Sequence, residues 1–258
     1  MHIRSVGLAT DLELAATRGL ITDRGGYVVV ATPDDPGYYF GNMLVLPAPP
    51  QVGEVAYWSR KFAEEFPDPS IRHVTLRWDG IRGDTGATDE LIAAGFKVET
   101  NAVLSARLIS APHVAVEIRA LAAREVMATA ELEYADAEHH DEAHRQFLLR
   151  RATWKQSLVA SGKAAWFGAF DAGELVGALG LVALGSRARY QDVQTRATHR
   201  RRGIAAALLA AAAREVLPVI QELVIVAEAG GPAMRVYERV GFSAIEQVAS
   251  ACRYPAAP

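Results

Sequence analysis

The sequence predicts an α/β protein made of two related units in tandem. Its 258 residues, 50% of them hydrophobic, exceed one ordinary domain of about 100 to 200 residues. Along the chain, helical hydrophobic spacing alternates with short runs rich in β-branched and aromatic residues, the pattern of helices interleaved with strands. The two halves also end alike. ELIAAGFKVETNAVLSARL, starting at Glu90, lies opposite VYERVGFSAIEQVASACRY, starting at Val236, with Gly95-Phe96 against Gly241-Phe242. Such self-similarity is what duplication of one unit leaves behind. Pro112 interrupts the pattern between the copies, which places the units at residues 1–112 and 113–258.

In the first half, an amphipathic helix is expected over 11–21, then strands over 27–31 and 38–46. A helix over 52–66 is bounded by Pro49-Pro50 in front and by Pro67 and Pro69 behind, where the missing N–H and the fixed φ of proline allow a helix to start and force it to stop. A strand follows over 71–78. A helix over 88–94 ends on Gly95, as a left-handed cap does, and a strand covers 97–108.

The second half begins with a strand at 114–118 and two helices across 124–160. Strands at 166–170 and 175–184 are joined by Asp171-Ala172-Gly173, good hairpin chemistry. Then come a strand at 190–195, a turn bearing Arg and Gly, an alanine-rich helix over 204–216 and a strand at 223–227. A helix over 232–240, capped by Gly241, and a last strand through Arg253 complete the unit.

Net charge is only -3 with a pI near 6.2, so no global positive field recruits nucleic acid or an anionic membrane. No run of about 20 apolar residues is present, and the N-terminus MHIRSVGLATDLELA lacks the apolar core of an export signal, so a soluble cytoplasmic protein is expected. The single cysteine, Cys252, falls in a strand pattern and reads as a buried structural thiol.

The chemistry concentrates in VQTRATHRRRGIAAALLAAAA, residues 193–213. A strand enters a short turn that opens directly into a helix, whose first four N–H groups have no partner inside the helix. Gly203 and Ala205 remove bulk where a phosphate must approach the backbone, the helix dipole favours an anion, and Arg200, Arg201 and Arg202 offer guanidiniums suited to phosphate. A pyrophosphate is the natural occupant. The corresponding turn of the first half is Pro47-Ala48-Pro49-Pro50-Gln51 and has no such chemistry.

These residues resemble the GCN5-related N-acetyltransferases (GNAT family), whose acetyl-CoA signature Arg/Gln-x-x-Gly-x-Gly/Ala appears as Arg200-Arg201-Arg202-Gly203-Ile204-Ala205. The resemblance covers about residues 114–254 in element order. It implies the GNAT fold, a mixed and mostly antiparallel sheet flanked by helices, with a degenerate copy in the first half. It also implies a splayed strand whose exposed backbone at Val193, Gln194 and Thr195 pairs with the pantetheine arm. The family's closing segment, Asn-x-x-Ala-x-x-Leu-Tyr-x-x-x-Gly-Phe, is matched by Ala233, Val236, Tyr237, Gly241 and Phe242, while Gly230 or Gly231 stands in place of the asparagine. Gly231 is expected among the cofactor-binding residues without the family's side-chain amide, and Tyr237 takes the role of the acid that reprotonates the thiolate. The competing role for Tyr237 is a core aromatic on the same helix face as Ala233.

An attacking amine must first lose a proton, and Glu131, Glu133, Asp192 and Glu228 are the candidate bases. Residues 131–142 carry six carboxylates and no Lys or Arg, either a field that attracts a cationic amine or a solvated acidic face. His139, His140, Asp141 and His144 lack the Glu and the third ligand of a zinc motif, so no metal is expected. Six arginines lie between Arg187 and Arg202, but no aromatic platform accompanies them, so no nucleic acid is expected. The resulting expectation is direct acetyl transfer from acetyl-CoA to a primary amine of a small molecule by a monomer or homodimer. The alternative is a non-enzymatic acyl-CoA-binding or regulatory module.

Overall fold

The structure, a computed structural model, describes residues 1–138, 140–216 and 219–255. The chain divides into two compact units, but not at its midpoint. One contains Met1–Val103, Val226–Gly231 and Ala244–Pro258; the other contains Leu104–Ile225 and Pro232–Ser243. A split at residue 112 follows the order of the chain, whereas the compact units assign the C-terminal strand to the first of them.

In the first unit, helix α1 (Val6–Ala15) leads into strands β1 (Leu20–Asp23), β2 (Val28–Ala31) and β3 (Met43–Leu46), helix α2 (Val55–Glu65), strand β4 (Val74–Trp78), helix α3 (Thr88–Ala93) and strand β5 (Lys97–Ala106). The sheet order is β1-β2-β3-β4-β11-β5, where β11 (Ser243–Arg253) arrives from the far end of the chain and pairs antiparallel with β4, Ser250 facing Arg77 and Arg253 facing Val74. Alternation along the strands sorts the core into two layers. Leu44, Leu46, Val29 and Leu76 join Val55, Phe62 and Leu91 on one face, while Met43, Val45, Val28 and Val30 meet Leu8 on the other. Cys252 is buried in β11 with its thiol 3.3 Å from the Thr75 hydroxyl.

Two first-half expectations are corrected. The first helix starts five residues earlier than residue 11, because Ser5 accepts from the Leu8 N–H at 3.1 Å and the Glu246 carboxylate accepts from the Val6 N–H at 2.8 Å, satisfying the orphan donors there. It ends at Ala15, and residues 20–23 form β1 instead. The expected strand over 38–46 begins with a 3-10 turn, Tyr39–Gly41, because the Asn42 amide donates to the carbonyls of Asp35 and Tyr38 and holds that segment curled.

In the second unit, strand β6 (Glu117–Ala120) and a 3-10 turn precede helices α4 (Ala128–Ala135) and α5 (Glu142–Ala160). Strands β7 (Ala164–Asp171), β8 (Glu174–Leu184) and β9 (Arg187–Thr195), helix α6 (Ile204–Val216), the start of β10 (Glu222–Glu228) and helix α7 (Pro232–Val240) follow. The order is β10-β9-β8-β7-β6, with β9 and β10 parallel and the other pairs antiparallel. The strand expected at 114–118 lies three residues further on, where it pairs with β7 from Glu117 opposite Phe170 to Ala120 opposite Phe167. Ala172 and Gly173 both have positive φ, 48° and 85°, which makes the β7–β8 turn the tight hairpin expected. Gly180 is needed for packing: a Cβ there would lie 2.3 Å from the ring of Trp166, which is fully buried. Alanine-rich α6 lies close against this sheet with Leu208 and Leu209 fully buried, each stabilising by roughly 1.5–3 kcal/mol.

Among the described residues, no helix is long and apolar enough to cross a membrane.

Candidate active site

The site grows from the way β9 leaves its parallel neighbour. Pairing with β10 runs from Arg187 opposite Glu222 to Arg189 opposite Val224 and, among the described residues of this unit, does not continue along residues 190–195. On the other side, β9 stays paired with β8, Ala178 facing Gln194 and Gly177 facing Thr195. Val193, Gln194 and Thr195 thus present one occupied edge and one open edge, which is the geometry an extended acyl carrier needs for backbone pairing. The Gln194 side chain donates to the Leu132 carbonyl at 3.0 Å, tying the strand to α4.

A bulge shapes this segment. The register with β8 jumps from Gly180 opposite Gln191 to Ala178 opposite Gln194, so Asp192 and Val193 share one partner. Asp192 sits at φ 49°, a left-handed conformation that costs a non-glycine residue about 1–3 kcal/mol. Its carboxylate lies 2.9 Å from the Lys155 ammonium and also pairs with the Arg151 guanidinium, and both cations pair with Glu133 of α4. Burial alone would push the Asp192 carboxyl upward, but the charges of Arg151 and Lys155 outweigh it and hold the group well below the usual carboxylate range. Asp192 is therefore ionised at neutral pH and a poor base. Lys155, only 1% exposed, carried no motif; only its position on the inner face of α5 and the nearby carboxylates could have drawn attention to it.

Beyond β9, a 3-10 turn (Ala197–His199) leads through Arg200, Arg201, Arg202 and Gly203 into α6. Arg201 and Gly203 both have positive φ, 63° and 79°. The turn therefore reverses direction sharply and points the first N–H groups of α6, at Ile204 and Ala205, out of the helix. Those backbone donors, a glycine without Cβ and the exposed Arg201 and Arg202 fit a pyrophosphate. Arg202 donates to the Thr198 carbonyl at 3.2 Å and lies 3.7 Å from the Asp171 carboxylate. Arg200 is committed elsewhere: it donates to the Thr195 carbonyl at 3.1 Å and to Asp136 at 3.0 Å, and Asp136 also accepts from the Ala197 N–H at 2.6 Å.

Beside the open edge lies a cavity of about 470 Å³ lined by Glu133, Glu138, His144, Phe147, Arg151 and Asp192, with Val193 and Gln194 at its border. Glu131 is not in this wall; it is 58% exposed and paired with Arg145 at 2.8 Å. Half of the acidic stretch is thus neutralised, since Glu131, Glu133 and Asp136 of its six carboxylates each hold a cation. Tyr237 on α7 is buried beside Phe242, their ring centroids 6.3 Å apart, and burial pushes its hydroxyl up to about 12. Glu228 and Gly231 group with the first unit, the Gly231 N–H donating to the Glu228 carbonyl at 3.0 Å. Among the described residues, no group of three or more His, Cys, Asp or Glu could hold a metal ion; His139 lies outside them.

Comparison with known proteins points the same way. Residues 131–252 match the family model described as an acetyltransferase (GNAT) domain. A solved GCN5-related N-acetyltransferase from Kribbella flavida superposes with a TM-score of 0.67 at 15% identity, over 98% of this chain and 96% of that one. A functionally unknown conserved protein from Staphylococcus epidermidis gives 0.74 at 13% identity, over 91% and 94%. A tandem GNAT protein from the clavulanic acid biosynthesis pathway gives 0.55 at 13% identity, over 84% and 76%. At these identities the likeness is one of fold. No curated protein sequence matches. Residues 131–252 thus match a GNAT acetyltransferase domain, and the chain shares its fold with solved GNAT proteins.

Proposed function

We propose that the protein is an acetyl-CoA-dependent N-acetyltransferase acting on a primary amine of a small molecule, with its catalytic unit in residues 113–258 and a degenerate copy of the same unit before it. The observation that carries the reading is the continuity of the open edge of β9 with the turn into α6 at one end and the 470 Å³ cavity alongside. In this reading the backbone of Val193, Gln194 and Thr195 pairs with the acyl carrier. Its pyrophosphate sits on the N–H groups of Gly203, Ile204 and Ala205, with Arg201, Arg202 and, once freed from Asp136, Arg200 around it.

The acceptor amine enters the cavity and attacks the thioester carbonyl. The new C–N bond forms as the C–S bond breaks, and backbone N–H groups of β9 stabilise the oxygen that gains charge. Tyr237, protonated at neutral pH, returns a proton to the departing thiolate. Of the titratable groups in the wall, Glu133 and Asp192 are locked in ion pairs, and His144, half-buried against Tyr134 and Phe147, is the base we favour over Glu138, Glu131 and Glu228. No covalent enzyme intermediate is needed.

The test is release of free thiol from acetyl-CoA when a panel of small amines is offered to the purified protein. Turnover that depends on the amine supports the enzyme. Saturable acetyl-CoA binding with no thiol release under any amine contradicts it and leaves the non-enzymatic acyl-CoA-binding module.

A further inference from the structure

The four-charge cluster of Glu133, Arg151, Lys155 and Asp192 belongs to none of the chemical steps above, yet three of its members line the cavity and the fourth, Lys155, is buried behind them. Lys155 is 1% exposed, and its two carboxylate partners are 15% and 18% exposed. Buried ion pairs are poor sources of stability, because desolvating both charges cancels most of their attraction, and an apolar side chain of similar volume would serve the core as well. What such a cluster does supply is direction. Here it acts on a residue that needs it, since Asp192 occupies the left-handed region at φ 49° at the bulge where β9 has already left its parallel partner.

We infer that Lys155 is a positioning residue: with Arg151 it fixes Asp192 in the bulge and so keeps the edge of Val193, Gln194 and Thr195 out of the ladder and open to the acyl carrier. The geometry is direct. Lys155 and Arg151 are one helical turn apart on α5 and reach the two oxygens of a single carboxylate, Oδ2 and Oδ1, while Glu133 of α4 anchors both cations from the other side. Arg151 hydrogen-bonds one oxygen and the Lys155 ammonium lies 2.9 Å from the other, so the two cations restrain the carboxylate and with it the backbone.

This inference rests on the acetyl-CoA reading of the site, and calorimetric titration of acetyl-CoA into the intact protein separates the two. Lys155→Met should weaken binding by roughly tenfold to a hundredfold, the usual effect of displacing a binding edge by about 1 Å. Asp192→Gly should bind like the parent, because glycine adopts the left-handed conformation unaided. Lys155→Met combined with Asp192→Gly should recover most of the lost affinity, a rescue that a merely structural role for Lys155 does not provide. If Lys155→Met does not fold, the single Asp192→Gly variant still decides, and weak binding there overturns the inference. Unchanged affinity in folded Lys155→Met overturns it as well. A parent protein that does not bind acetyl-CoA overturns the site assignment itself, and this inference with it.

Discussion

The two units carry the same succession of strand, turn and helix before their Gly-Phe ends, and the turns differ in every feature that matters for binding. In the first unit, β3 stays paired with β4 to its last residue, from Leu44 opposite Leu76 to Leu46 opposite Trp78, and the Asp79 N–H donates to the Leu46 carbonyl at 2.9 Å. No edge opens there. The approach to α2 is filled by the protein's own carboxylates: Glu54 accepts from the Gln51 N–H at 2.9 Å, and Glu90 accepts from the Gly53 N–H at 2.6 Å. In the second unit the pairing of β9 with β10 ends after Arg189 and Val224, and the entry to α6 carries three arginines. The repeat also sets Leu91, fully buried, opposite Tyr237, so the first unit lacks a phenol where the second has one. The first turn is closed by the protein's own groups, and the second leaves its edge and its arginine-bearing entry open.

Substituting the matched pair tests this contrast most strongly. Tyr237→Phe should lower kcat by about a hundredfold or more, the ordinary contribution of a positioned acid, with little change in acetyl-CoA affinity. Leu91→Ala should leave kcat of the folded protein unchanged and cost about 2–5 kcal/mol of stability, measured by denaturant unfolding. A Tyr237→Phe enzyme at full rate would place both residues in the same structural role.

The pH dependence sharpens the same point. With its hydroxyl pushed up to about 12 by burial, Tyr237 keeps its proton throughout the working range. The kcat profile should therefore show no alkaline loss until within about one unit of that value. A limb near the ordinary phenol value would mean that Tyr237 is solvated in the working enzyme.

The smallest effect is expected at Arg201. It is exposed, so Arg201→Gln should weaken acetyl-CoA binding by only about fivefold at low salt, and less as ionic strength rises. A salt-independent loss would instead indicate that the substitution disturbs the turn, where Arg201 has positive φ.

The sequence showed the elements of the second unit well, since α7 matches its expected bounds and α6 follows directly from Gly203 and its alanine run. It misplaced α1 because two of the groups that satisfy the N-terminal donors, Ser5 and Glu246, stand 241 residues apart, a separation that local periodicity does not register. It also assigned β11 to the half in which it is encoded, whereas β-pairing with β4 decides its unit. At the site, the turn was readable because glycine and arginine leave a chemical signature in series. The Lys155 cluster was not, because Glu133, Arg151, Lys155 and Asp192 come from two helices and a strand, and each alone looks like an ordinary surface charge. Asp192 was weighed as a base from its place on the strand; its ion pairs show it held ionised instead.

The most direct measurement is calorimetric titration of acetyl-CoA into the parent protein and into two glycine variants, Gly203→Val and Gly53→Val. Both glycines have positive φ, 79° and 90°, so both substitutions impose similar backbone strain, about 1–3 kcal/mol of stability. Only Gly203 stands where the proposed site brings a pyrophosphate close to the backbone. The account predicts saturable binding in the parent, the same binding in folded Gly53→Val, and loss of about a hundredfold or more in Gly203→Val. Equal binding in the two variants, or none in the parent, would contradict it.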